Sequence, residues 1–168
     1  MEESLHQIKT AESLVLEAFE KNQFCFYLQP YYKCDTTPRI TGYEALIRIV
    51  KDNKVISPYF FIDYLEHSKH LRKFEEWSLE QISYMVKTLK KSISLNISAR
   101  SFADENFIHM LLEKAQELYP FLTVEITERI ALGNIDKTKI TIKKLKDNGA
   151  KIALDDFGTG YSSLNYLK

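Results

Sequence analysis

Five residues of this 168-residue chain carry oxygen donors in settings that call for chemistry: Glu44, Asn96, Glu125, Asp155 and Asp156. Glu125 lies between Val124 and Ile126, and Asn96 between Leu95 and Ile97. A carboxylate desolvated in such a setting costs several kcal/mol unless an opposite charge compensates it. These stretches hold few Lys or Arg, so a hard divalent cation is the natural counter-charge. All-oxygen donors favour Mg²⁺, Mn²⁺ or Ca²⁺ over zinc. The neighbouring Asp155 and Asp156 suit a bridge between two ions, which lie about 3.5–4 Å apart in two-metal hydrolases. A single acidic residue at a strand end has a simpler reading, as a helix cap or a ligand to backbone N–H groups. Five donors at equivalent positions are harder to explain that way.

Supporting groups stand around them. Alternation along a strand puts Glu44, Leu46 and Arg48 on one face. Arg48 can then approach a phosphate, for which a planar guanidinium is well shaped; a surface ion pair is its simpler reading. Gln29, before Pro30, is either a ligand contact or a satisfied polar residue on a sheet wall. Thr127 shares the face of Glu125, and Glu128 points the other way, as a cap or an outer partner. Gly158-Thr-Gly160 lacks the third glycine of a dinucleotide fingerprint, and Asp156-Phe-Gly158 comes without the other kinase motifs. A mobile loop beside paired aspartates fits the segment better. The histidines, His6, His67, His70 and His109, have no metal-type spacing and read as surface residues. Trp77 and the many Tyr and Phe residues read as core.

The elements that must position these groups follow from periodicity. Residues 8–21 predict a helix, with Ile8, Leu14, Leu16 and Phe19 among its apolar positions. Residues 24–33 and 40–49 predict two strands, antiparallel because their connection is too short for a crossover. Ser57-Pro58 opens a helix to about His70, and a second runs from about Lys73 to Lys90. The chain then alternates: strand 92–97, helix 104–118, strand 122–127, helix 136–148 closed by Asn148-Gly149, strand 151–154, then a loop at 158–163 entering a last helix. The short apolar strands suit a buried parallel sheet. This alternation means α/β, either doubly wound or a barrel, with the donors gathered at about one height near the carboxyl ends of four strands. No linker or repeat divides the chain, so residues 1–168 read as a single domain.

Composition sets the outer limits. Hydrophobic residues make up 45% of the chain, which marks a chain that folds. The 23 basic and 23 acidic residues cancel, against a binder of nucleic-acid polymers. Cys25 and Cys34 form no CxxC, and a reducing, cytoplasmic setting is expected. No apolar run is long enough to span a membrane, so no membrane contact is expected from this segment.

The motifs together resemble the EAL domain family, the bacterial cyclic-di-GMP-specific phosphodiesterases. Tyr43-Glu-Ala-Leu-Ile-Arg48 is similar to the family signature. The likeness continues through Gln29-Pro30, Trp77-Ser-Leu79, Leu95-Asn-Ile-Ser-Ala-Arg100, Val124-Glu-Ile-Thr-Glu128 and Leu154-Asp-Asp-Phe-Gly-Thr-Gly-Tyr-Ser-Ser-Leu164. The resemblance implies a modified TIM (β/α)₈ barrel with an antiparallel first strand. It implies that Glu44, Asn96, Glu125 and Asp155 bind one Mg²⁺ or Mn²⁺, and that Asp155 and Asp156 serve a second. Glu44, Asp155 and Asp156 are then the catalytic residues, and Gln29, Leu46 and Arg48 contact cyclic-di-GMP. The implied reaction opens one phosphodiester by metal-activated water, giving linear pGpG. Ile49 and Arg129 depart from the usual residues without touching a ligand. The resemblance also implies a C-terminally truncated barrel of about five of eight strands, short of roughly 90 residues at about 30 per strand-helix unit. The family's later catalytic lysine and glutamate would fall there. Activity of the chain itself is therefore doubtful, and a non-catalytic cyclic-di-GMP-binding or protein-interaction module of the same fold is the alternative. Exposed strand edges at either end would favour self-association or a homodimer.

Overall fold

The computed structural model describes residues 2–34, 36–127, 130 and 135–155, and the side chains of all of these except residues 2–5. The predicted loop at 158–163, the helix after it, and the assignments to Asp156, Glu128 and Arg129 lie outside the described residues. The chain divides into two compact units, Met1–Tyr84 and Met85–Lys168. The boundary falls inside one continuous helix, so no change of composition marks it.

The first unit pairs a helix with an antiparallel sheet. Helix α1 (Glu2–Glu20) is followed by β1 (Phe24–Lys33), β2 (Arg39–Lys51) and β3 (Lys54–Ile56). The β1/β2 pairing is antiparallel, and its register is unbroken from Phe24↔Ile49 to Tyr31↔Gly42. β3 is absent from the sequence reading. It arises because Asp52 and Asn53 both adopt positive φ, 49° and 59°, between the paired Lys51 and Lys54. Two left-handed residues make the tight turn whose twist matches a hairpin, and Asn and Asp tolerate that conformation best. The predicted helix at 57–70 is also broken up. Ser57 caps a 3-10 turn, Pro58–Phe60, and α2 (Ile62–His67) follows as a separate helix before α3 (Leu71–Leu89).

The core of this unit is aromatic. Val15 and Ala18 of α1, Phe24, Ile49, Phe61 and Leu65 are buried together, with Phe74 and Trp77 packed against them. Phe24 sits at the centre, its ring 4.9 Å from Phe19, 5.6 Å from Phe74 and 5.7 Å from Trp77 between centroids. The buried stripe of α1 runs through Ala11, Val15 and Ala18, so Ile8 and Leu16, expected among its apolar positions, face solvent instead. Not all aromatic residues are core either: Tyr59, Phe60, Tyr84 and Tyr119 are exposed. Of the histidines, His6, His67 and His109 are exposed, while His70 is half-buried with its ring 6.1 Å from Phe19.

The second unit is a parallel α/β segment. Its strands are β4 (Ser92–Asn96), β5 (Leu122–Thr127) and β6 (Lys151–Asp155). Between them run α4 (Ala99–Ala103), α5 (Glu105–Leu118) and α6 (Ile135–Asp147). The predicted helix at 104–118 begins where Asp104 caps it, accepting a hydrogen bond of 2.9 Å from the Asn106 N–H. The short α4 before it, capped by Ser98, was not expected from periodicity. Helix α6 ends at the expected place. Gly149 takes φ +93°, and the N–H groups of Gly149 and Ala150 donate to the carbonyls of Lys146 and Leu145. That pair of bonds closes the helix in a Schellman motif.

Candidate functional site

In the first unit the β1/β2 register assigns each residue its face. Gln29 pairs with Glu44, Tyr27 with Leu46 and Cys25 with Arg48. Paired residues share a face, so these six form one surface, as alternation predicts for Glu44, Leu46 and Arg48. The opposite face carries Phe24, Phe26, Ala45, Ile47 and Ile49 toward the aromatic core. The separation is physical: one face is packed with apolar side chains, and the other leaves Gln29 and Tyr27 exposed and Glu44 and Arg48 half-buried.

Arg48 is held in two ways. Its Nη1 donates 2.7 Å to the carbonyl of Ile47, and its guanidinium carbon lies 6.0 Å from the centre of the Tyr27 ring. Burial pushes the Cys25 thiol above its ordinary range, and the nearby Arg48 charge pulls it part of the way back. Neither Tyr27 nor Cys25 is among the site residues read from the sequence. The signal was available, since stepping by two from Gln29 along β1 reaches both.

In the second unit the parallel register does the same. Asn96 pairs with Glu125, Glu125 with Ala153, and Thr127 with Asp155. Asn96, Glu125, Thr127 and Asp155 therefore share one face of the sheet, together with Ser94 and Thr123. The other face is apolar, with Ile93, Leu95, Leu122, Val124 and Ile126 all buried. The strands are thus two-faced, and the polar face carries every described donor of this unit, Asn96, Glu125 and Asp155. Glu125 is 8% exposed, while Asn96 and Asp155 at the strand ends are exposed. The expectation of a single height holds for Asn96 and Glu125 and needs correction for Asp155. Asp155 is level with Thr127, two residues beyond Glu125, a rise of about 6.6 Å along the strand. Such a stagger between neighbouring strands is what a tilted, barrel-like sheet requires.

Among the described residues, no group of three or more His, Cys, Asp and Glu is placed to hold a metal ion. The set read in the sequence includes an amide, Asn96, and Asp156, which lies outside the described residues. Glu44 belongs to the other unit. What remains on the polar face of the second unit is an amide oxygen opposite a buried carboxylate, with a second carboxylate beyond. An all-oxygen set of this kind fits a hard divalent cation.

Comparison with known proteins agrees with this reading of the motifs. The family model for the EAL domain matches residues 13–168. The signaling protein YkoW of Bacillus subtilis is 33% identical over 171 residues, covering 96% of this chain and 21% of its own length. Cyclic di-GMP phosphodiesterase PdeR of Escherichia coli is 34% identical over 160 residues, covering 90% of this chain and 24% of its own. The chain thus spans about a quarter or less of the curated relatives it matches. Among solved structures, the PaMucR phosphodiesterase in complex with c-di-GMP superimposes with a TM-score of 0.83 at 29% identity, over 94% of this chain and 67% of that one. The α/β fold is therefore the TIM-barrel-like fold of those structures. No helix among the described residues is long and apolar enough to cross a membrane. With the family model matching almost its whole length, the chain belongs to the EAL domain family.

Proposed function

We propose that this chain binds cyclic-di-GMP and contributes to its hydrolysis to linear pGpG. The observation that carries the proposal is the match of the EAL domain family over residues 13–168, a family in which relatives such as PdeR are named cyclic di-GMP phosphodiesterases. The opposed Asn96 and Glu125 and the shared face of Gln29, Glu44, Leu46 and Arg48 support it.

Each residue has a part in this reading. Glu44, Asn96, Glu125 and Asp155 supply oxygen donors to one Mg²⁺ or Mn²⁺, and Asp155 and Asp156 supply them to a second. When bound, such cations lower the pKa of water and neutralise phosphoryl oxygens. Arg48 meets the phosphate with its guanidinium fork. Gln29 and Leu46 flank it and orient the dinucleotide. The setting is cytoplasmic, and the chain self-associates, as a homodimer in the simplest case. Light scattering that rises with concentration is the expected sign of that association.

The deciding experiment incubates the chain with cyclic-di-GMP and Mg²⁺ or Mn²⁺ and follows pGpG by chromatography. Formation of pGpG that is lost in Glu44→Ala and Glu125→Ala supports hydrolysis. Binding without cleavage supports the non-catalytic module. Failure to bind the dinucleotide at all overturns both.

A further inference from the structure

We infer that Tyr27 is a positioning residue for Arg48, holding its guanidinium on the open face of the β1/β2 ribbon where a phosphate would be met. The inference rests on the proposed binding of cyclic-di-GMP, since Arg48 is the residue given the phosphate there. Three observations carry it. The register sets Tyr27 opposite Leu46, so it stands diagonally between Glu44 and Arg48 on their own face. The Arg48 guanidinium carbon lies 6.0 Å from its ring centre, within reach of a cation–π contact. Tyr27 is 46% exposed, whereas Phe24 and Phe26 on the other face of the same ribbon pack against Trp77.

The physical advantage is restriction. Arg has a long side chain with much rotamer freedom to lose, and less is lost on binding if the group is already held. One of its five N–H donors goes to the Ile47 carbonyl. The Tyr27 ring limits where the rest of the guanidinium can swing. A ligand phosphate then meets a donor fork that has less freedom to surrender on binding.

Two readouts on the full 168-residue chain test this. The first is the affinity for cyclic-di-GMP in Ca²⁺, by calorimetry. Tyr27→Leu is expected to raise Kd about two- to five-fold, the size of an exposed cation–π contact, and Tyr27→Phe to restore most of it. In the Arg48→Ala background, Tyr27→Leu is expected to have no further effect. Equal, additive losses in both backgrounds would overturn the inference. The second readout needs no ligand: the Arg48 side-chain resonances should show a ring-current shift by NMR, kept in Tyr27→Phe and lost in Tyr27→Leu. Absence of that shift overturns the inference even if cyclic-di-GMP binds. If the shift is present but wild type binds no cyclic-di-GMP, the proposed function fails while the Tyr27–Arg48 pairing stands.

Discussion

Asn96 and Glu125 lie directly opposite one another on the parallel strands β4 and β5, an amide beside a carboxylate that is 8% exposed. If the pair serves a divalent cation, binding must stabilise the folded chain. At a free concentration a hundred times Kd, the gain is about 2.7 kcal/mol. Mg²⁺ or Mn²⁺ is therefore expected to raise the melting temperature, reversibly on chelation. Glu125→Gln should remove most of the rise. A wild-type melting temperature that ignores both ions would refute the assignment.

Gly149 is expected to resist substitution. Its φ of +93° is the left-handed conformation, and an added Cβ would come within 2.5 Å of Cδ2 of Tyr119. Cβ and Cγ of Tyr119 would also lie at 3.1 Å, so turning the ring relieves only part of the contact, which adds to the cost of the backbone conformation. Gly149→Ala should lose about 1–2 kcal/mol of stability. Urea denaturation measures it, and a loss below about 0.5 kcal/mol would contradict the argument.

Glu117 predicts an acid sensitivity. Its carboxylate is paired with Lys114 at 2.7 Å and with Lys87. The bonds to these two lysines hold its pKa at about 2, below an ordinary value of 4.5. A carboxylate with a lowered folded pKa stabilises the native state above its unfolded pKa and loses that contribution as the proton binds. The contribution should be full above pH 4.5 and fade as pH falls toward about 2. Both partners are partly exposed, so salt should weaken it. Melting curves of wild type and Glu117→Gln should differ at pH 6 and converge near pH 2; a constant difference would contradict the pairing.

Phe24 should be the most sensitive position of the first core. Its ring touches Phe19, Phe61, Phe74 and Trp77. Phe24→Ala removes the centre of that cluster and is expected to cost about 3–5 kcal/mol. Phe24→Leu keeps much of the volume and should cost clearly less. Equal denaturant midpoints for the two variants would show that the site collapses freely and is not close-packed.

Much of this molecule is legible in one dimension. Alternation along residues 40–49 already put Glu44, Leu46 and Arg48 on one face, because side chains in a strand alternate whatever the partner. The capping Ser57 and Asp104 and the closing Gly149 mark helix ends through local hydrogen bonds and local φ, which the chain carries wherever it folds. Other features depend on pairing between distant segments. The stagger of Asp155 against Glu125 is set by how β5 and β6 slide past each other. The contact between Tyr27 and Arg48 exists only once Cys25 lies opposite Arg48. The separation of α2 from the 3-10 turn before it follows from burying Phe61 and Leu65 in a shared core. Residue type and spacing determine which groups can do chemistry and which face they take; register, a long-range property of the folded sheet, decides which of them meet.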